Sequence, residues 1–254
     1  MARARAAHLA AAGARGVRDV VGPLPPGVGW AVSALPALGF PGFCDGLDLS
    51  YVQRGLDDAD AVRAAGFRFA FVKATDGLTG RDPAYQRLTD ALRGAGLHVG
   101  AYGFAHVSQG QPRAQARHAY DVATADGRHV VRVAMDLEDC PVGTPWQALR
   151  DFAAEYLDEL RATGGLPLFY LPESWLGHFL HMGVPMWVAQ YRSVTSAWAP
   201  SAEQVARKLV GDVELWQYSG NSGYRVDGIP VDCDRNVFRG DESALRAWFG
   251  LPEE

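Results

Sequence analysis

The chain has 254 residues, 48% hydrophobic and 21% charged, an ordinary globular composition with ample material for a core. Its net charge of −5 argues against the basic face that a nucleic-acid partner calls for. No stretch reaches the ~18 uninterrupted apolar residues of a membrane span.

In chain order, residues 1–42 differ from the rest. Arg3 and Arg5 precede an Ala-rich run that His8 and Arg15 break, and no small-x-small cleavage site follows, which makes a poor signal peptide. Gly22-Pro23-Leu24-Pro25-Pro26-Gly27 then resists regular structure, because prolines lack a donor and glycines are permissive. This stretch reads as an appended arm or linker, or as a decoration packed on the domain's outside. From residue 43, short apolar runs alternate with amphipathic stretches. The expected strands are Cys44–Leu49, Phe67–Thr75, Leu97–Phe104, Val130–Leu137, Leu166–Leu171, Pro185–Gln190, Val213–Tyr218 and a short one near Pro230–Cys233. Helix-like segments between them are Asp57–Ala65, Pro83–Ala95, Pro112–Ala125, Pro145–Thr163 and Ala202–Leu209. Pro83, Pro112 and Pro145 stand near helix starts, and Gly66, Gly96 and Gly164 just past helix ends.

Strand–helix alternation with short connections implies a parallel sheet, and eight strand runs fit a closed barrel better than an open one. The expectation is an α/β chain with an irregular TIM-like (β/α) barrel, a single domain over residues 43–240. An N-terminal extension (1–42) precedes it and a C-terminal helix or tail (241–254) follows. An open doubly wound sheet is the alternative, weakened because no GxGxxG or phosphate loop follows any strand.

Val131-Arg132-Val133-Ala134-Met135-Asp136-Leu137-Glu138-Asp139 is the most informative stretch. Strand side chains alternate, so Asp136 and Glu138 share a face at what would be the strand's C-terminal end, where barrels keep their chemistry. Two adjacent acids repel and desolvate each other, an arrangement folds rarely adopt unless chemistry needs it. Asp48, late in the first strand with Ser50 on its face, and Asp232, at the last strand, have the same placement. In a closed barrel those two strands are neighbours, so the four acids can face one pocket. Aromatic residues at strand ends suit a sugar, whose apolar ring faces they cover. Tyr102, Tyr170 and Trp216 are the expected groove residues, while Phe104 and Trp187 read as core.

Cys44, Cys140 and Cys233 are too few and odd in number for a disulfide framework, although a Cys44–Cys233 pairing stays open. With no CxxC or HExxH motif, and histidines scattered apart from His178 and His181, no metal site and no cofactor is expected.

These residues resemble the family-25 glycoside hydrolases, the bacterial and phage muramidases, from about Phe43 to Gly240. The matching stretches begin with Gly46-Leu47-Asp48-Leu49-Ser50, Phe69-Ala70-Phe71-Val72-Lys73-Ala74-Thr75-Asp76-Gly77 and Val99-Gly100-Ala101-Tyr102-Gly103-Phe104. They continue with Asp136-Leu137-Glu138, Trp187-Val188-Ala189-Gln190-Tyr191, Trp216-Gln217-Tyr218-Ser219 and Val231-Asp232. The resemblance implies a lysozyme activity in which Glu138 protonates the leaving glycosidic oxygen. Asp136 would assist the reacting sugar, either orienting its acetamido group or stabilising positive charge. Asp48 and Asp232 would complete the acidic cluster, and Tyr102, Tyr170, Trp216, Lys73 and Tyr191 would contact substrate. Peptidoglycan glycan strands are the implied partner, and the bacterial cell wall, reached by secretion or phage delivery, the implied place of action. The chain departs from the family pattern at Tyr51 and Gly103, where histidine is commoner, and at Asp76, where glutamate is commoner. A chitinase-like barrel would carry the ladder DxxDxDxE, but Ala134 and Val131 interrupt it. A catalytically silent glycan-binding module is disfavoured because all four acids are present. Cα atoms two apart on a strand are ~6.6 Å apart, which leaves retaining, inverting and acetamido-assisted routes open.

Overall fold

The computed structural model describes residues 36–127, 131–191, 198–220 and 225–252. The Ala/Arg-rich start and the Pro/Gly segment lie outside the described residues. In chain order the elements are β1 (Phe43–Leu49), α1 (Ala59–Ala64), β2 (Phe69–Asp76), β3 (Gly80–Arg81), α2 (Tyr85–Gly94), β4 (His98–Phe104), α3 (Pro112–Ala123), β5 (Arg132–Asp136) and α4 (Trp146–Ala162). There follow β6 (Leu166–Pro172), β7 (Met186–Ala189), α5 (Ala202–Lys208), β8 (Val213–Ser219), β9 (Asp234–Arg239) and α6 (Glu242–Trp248).

The strands hydrogen-bond in the order β1-β9-β8-β7-β6-β5-β4-β2, and pairing of β1 with β2 closes the ring. The closed structure is the expected irregular (β/α) barrel, with β3 folded back on the end of β2. Local chemistry sets the helix limits. Asp58 caps α1 by accepting from the Ala61 amide, and Pro112 opens α3. Gly66 and Gly96 follow α1 and α2 with φ of 103° and 82°, a backbone that side chains disfavour.

One expected strand is displaced. Pro230–Cys233 is not a strand; the closing strand β9 begins at Asp234 and runs antiparallel to both β1 and β8. Its sequence, Asp-Arg-Asn-Val-Phe-Arg, puts both polar and apolar residues on each face, so hydropathy hides it. The reversal matters for the site, because the start of β9 lies beside the C-terminal ends of the parallel strands, with Asp48 opposite Asp234.

Alternation sorts every strand into two layers. Ala70 and Val72 on β2, with Val133 and Met135 on β5, pack outward beneath the helices. Phe69 and Phe71, Tyr102, Ala134, Leu168, Trp187 and Leu215 fill the barrel interior. Filling is tight. A Cβ on Gly46 would lie 2.3 Å from the Phe69 ring, so glycine there makes room for phenylalanine.

The N-terminal end of the barrel is sealed by α6 and the residue after it. Trp248 packs on Phe238 (ring centroids 5.0 Å) and Phe249 on Phe71 (5.8 Å). The Arg132 guanidinium lies over Trp248, 3.7 Å from the ring centroid, and donates to the carbonyls of Trp248 and Pro167. Residues 36–42, drawn with the arm from the sequence, pack on the barrel. Ala37 donates to the Ala65 carbonyl (2.9 Å), Asp45 accepts from the amides of Leu38 and Gly39 (3.0 Å each), and Arg235 donates to the Pro36 carbonyl (2.9 Å). Among the described residues no helix is long and apolar enough to cross a membrane.

Candidate active site

At the opposite end, inner-face residues become polar one step past the aromatic layer: Asp48 on β1, Lys73 on β2, Asp136 on β5, Tyr170 on β6 and Gln217 on β8. Asp136 is buried at the end of β5. The Leu137 amide still donates to the Tyr170 carbonyl (3.1 Å), so the ladder runs one residue further. Leu137 is buried among the outward-facing residues, and alternation returns the half-buried Glu138 to the inner side.

A chain of directional hydrogen bonds crosses this rim. The Trp187 indole donates to Asn236 Oδ1 (2.8 Å), and Asn236 Nδ2 donates to Asp48 Oδ2 (2.9 Å). Gln217 Nε2 donates to the same Asp48 oxygen (2.8 Å), and the Tyr170 hydroxyl donates to Gln217 Oε1 (2.9 Å). That hydroxyl is also 3.5 Å from Glu138 Oε2. Burial, and then the charges of Glu138, Asp136, Tyr191 and Asp48, push the Tyr170 phenol well above its ordinary range, so it stays a neutral donor.

The structure therefore brings Asp48, Asp136, Glu138 and Tyr170 to one rim. Asp232 lies two residues before β9 at the same end, its carbonyl accepting from Gln53 Nε2 (2.9 Å). Tyr102 sits one layer below, buried edge-on against Trp187 at 6.4 Å. Tyr191 covers Gly220, where a Cβ would be 2.7 Å from its ring. Trp216 is not with them. It lies on the helix-facing side, packed on Trp198 and Tyr218, with its indole donating to the Gln190 carbonyl (2.8 Å). Alternation gives the inner position to its neighbour Gln217, which the sequence reading passed over together with Asn236. The signal for Gln217 was its place inside Trp216-Gln217-Tyr218-Ser219, on the face opposite both aromatics; Asn236 had no local signal. All three cysteines are free: Cys44 faces the interior and Cys233 lies beneath Asp48, Sγ 3.9 Å from its carbonyl oxygen.

Lys73 reaches Asp76 Oδ2 (2.6 Å) and lies over the Phe104 ring, 4.9 Å from the centroid. His106 Nε2 is 2.5 Å from the other Asp76 oxygen. Burial opposes the Asp76 charge, but the hydrogen bonds from Lys73 and His106 outweigh it and hold the carboxyl below the usual range. At Gly103 a Cβ would lie 2.6 Å from the Tyr156 hydroxyl and 2.9 Å from Ala119 Cβ, so close packing of α3 and α4 leaves no room for the commoner histidine.

A closed (β/α) barrel with carboxyl groups gathered at the C-terminal ends of its strands defines a class, the barrel glycoside hydrolases. Residues 47–228 match the glycosyl hydrolases family 25. The chain is 30% identical over 219 residues to lysozyme M1 of Streptomyces globisporus, covering 80% of this chain and 70% of that one. It is similar in structure to a bacterial lysozyme from Streptomyces coelicolor, with a TM-score of 0.65 at 25% identity over 81% of this chain and 96% of that one. A muramidase from Acremonium alcalophilum gives 0.60 at 26% identity, over 81% and 98% of the two chains. The chain belongs to glycosyl hydrolase family 25 and is a glycoside hydrolase.

Proposed function

We propose that the chain is a peptidoglycan muramidase, hydrolysing the β-1,4 bond between N-acetylmuramic acid and N-acetylglucosamine in the bacterial cell wall. Glu138 is the general acid that protonates the leaving oxygen, and Asp136, beside it on the same strand face, assists the reacting sugar. Asp48 and Asp232 are proposed to complete the acidic cluster. Tyr102, Tyr170, Lys73 and Tyr191 are the residues proposed to shape and contact the glycan.

The observation that carries this reading is the placement of Glu138. It lies one alternation past a buried aspartate, 3.5 Å from the hydroxyl of a buried tyrosine. Neighbouring anions and partial burial both favour its neutral form, as an acid working near neutral pH requires. The acetamido group carried by the substrate is the internal nucleophile this arrangement favours, with Asp136 orienting it.

The test is product analysis. Purified protein is incubated with peptidoglycan, and the new reducing ends are identified by mass spectrometry after reduction. Reduced N-acetylmuramic acid is expected; reduced N-acetylglucosamine at the new ends would assign a glucosaminidase and refute the bond specificity.

A further inference from the structure

We propose that Gln217 is a positioning residue that keeps Glu138 loaded with its proton, by fixing the direction in which Tyr170 donates. The inference rests on Glu138 being the acid. It follows from the order of donors and acceptors along one chain of contacts, each member of which has few choices.

An indole N–H can only donate, so the Asn236 atom facing Trp187, at 2.8 Å, is the carbonyl oxygen. The amide nitrogen of Asn236 is thereby turned to Asp48 Oδ2. Gln217 reaches that same oxygen at 2.8 Å. An oxygen accepting from one amide nitrogen accepts readily from a second, whereas a carbonyl pointed at it would be repelled, so Gln217 presents its nitrogen here. Its carbonyl then faces Tyr170, whose hydroxyl has one proton and gives it to Gln217 at 2.9 Å. What Tyr170 turns to Glu138 is a lone pair. Across that 3.5 Å gap a protonated Glu138 can turn its O–H to the lone pair, whereas an ionised Glu138 faces lone pair against lone pair.

These groups are deeply buried: Asn236 is 0% and Gln217 3% exposed, so bulk water does not reach them and the bonds between them act at low local dielectric. The titratable groups bearing on Tyr170 are Asp136 at the end of β5, Glu138 two residues past it, Tyr191 after β7 and Asp48 from β1. Asp136 would act on Glu138 through charge alone, whereas Asp48 acts through charge and also by holding the amide nitrogen of Gln217. Gln217 differs because its effect must pass through that hydroxyl, and this sets its test apart.

The experiment compares pH profiles of kcat/KM on soluble peptidoglycan fragments for wild type, Gln217→Met, Tyr170→Phe and the double variant, with thermal melts checking each fold. In Gln217→Met the freed hydroxyl donates to ionised Glu138, so the upper limb moves to lower pH by about one unit, the size expected when one hydrogen bond changes direction. Tyr170→Phe, which only removes the acceptor, moves it less. In the Tyr170→Phe background, Gln217→Met adds no further movement. An upper limb of Gln217→Met at the wild-type position overturns the proposal. So does a full shift persisting without the hydroxyl, which would route the effect through Asp48. Should Gln217→Met fail to fold, Tyr170→Phe decides alone, and an unmoved limb refutes the role. A Glu138→Gln control that keeps its activity would instead refute the assignment of the acid.

Discussion

Arg132 and Asp136 stand four residues apart on the inner face of β5, one at each end of the barrel, and both are buried. At the closed end, burial pulls the guanidinium down to about 10, so it remains a cation at neutral pH. Its donors meet fixed carbonyls, and the face of Trp248 covers it. Those acceptors are backbone carbonyls, which carry no proton to exchange. At the open end Asp48 meets two amides and Glu138 faces a phenol, and a carboxyl group, unlike the guanidinium, can gain or lose its proton within the working pH range. Burial of a charge marks both ends equally. What separates the two ends is whether the buried ion itself has a second protonation state within reach of neutral pH.

That contrast is open to attack at both ends. The largest effect is expected at the rim: Glu138→Gln should lower turnover about a hundredfold or more while the melting temperature stays near wild type. Retention of a tenth of the activity would remove Glu138 from the chemistry. At the floor the effects should be inverted. Phe249→Ala deletes a buried ring and should cost about 3 kcal/mol, a fall of roughly 6–12 °C for a domain of this size. Surviving protein should keep the wild-type pH optimum, measured on the same fragments. Asp48→Asn comes next: it withdraws a negative charge near Glu138, which then ionises more easily. The upper limb of the pH–rate profile should move to lower pH by about one unit or less; coincident limbs would separate Asp48 from the acid.

The smallest effect concerns Asp76, whose carboxyl is depressed by Lys73 and His106. A folded value below the unfolded one contributes stability above the unfolded value, and that stability is lost as pH falls through the folded one. The melting-temperature gap between wild type and Asp76→Asn should thus be present near neutral pH. It should close as pH drops below about 4, where a free aspartate titrates. Partial exposure of Asp76 keeps that gap small.

Most of the barrel was legible because its strands obey a simple rule, apolar on both faces with glycine or proline at the breaks. The rule fails at β9, where Asn236 is buried against Asp48 and Trp187 on distant strands and Arg235 is buried with its guanidinium on the carbonyls of Pro36 and Arg225. A sequence window cannot see such partners. The carboxyl residues were legible for a related reason: an acid at the end of an apolar run is conspicuous in one dimension. Gln217 was not, since an amide between two aromatics looks unremarkable until the strand is folded and its neighbours point away. The same period-two rule that placed Asp136 and Glu138 together also separates Trp216 from Gln217, and applied there it moves the expected groove residue by one position.

The reversed strand also bears on how the molecule is made. Seven strands add in parallel as the chain emerges, yet the ring shuts only when β9 slots between β8 and β1, the latter near the start of the described chain. Until then β1 and β8 each present an unpaired edge, which is a template for association with other chains. Contacts of such long sequence separation form late and slowly. A nascent chain halted before Asp234 would thus be sticky, unable to close, and lacking the helix that plugs its floor. Assembly of the carboxylate rim and sealing of the opposite end thus become a single late event.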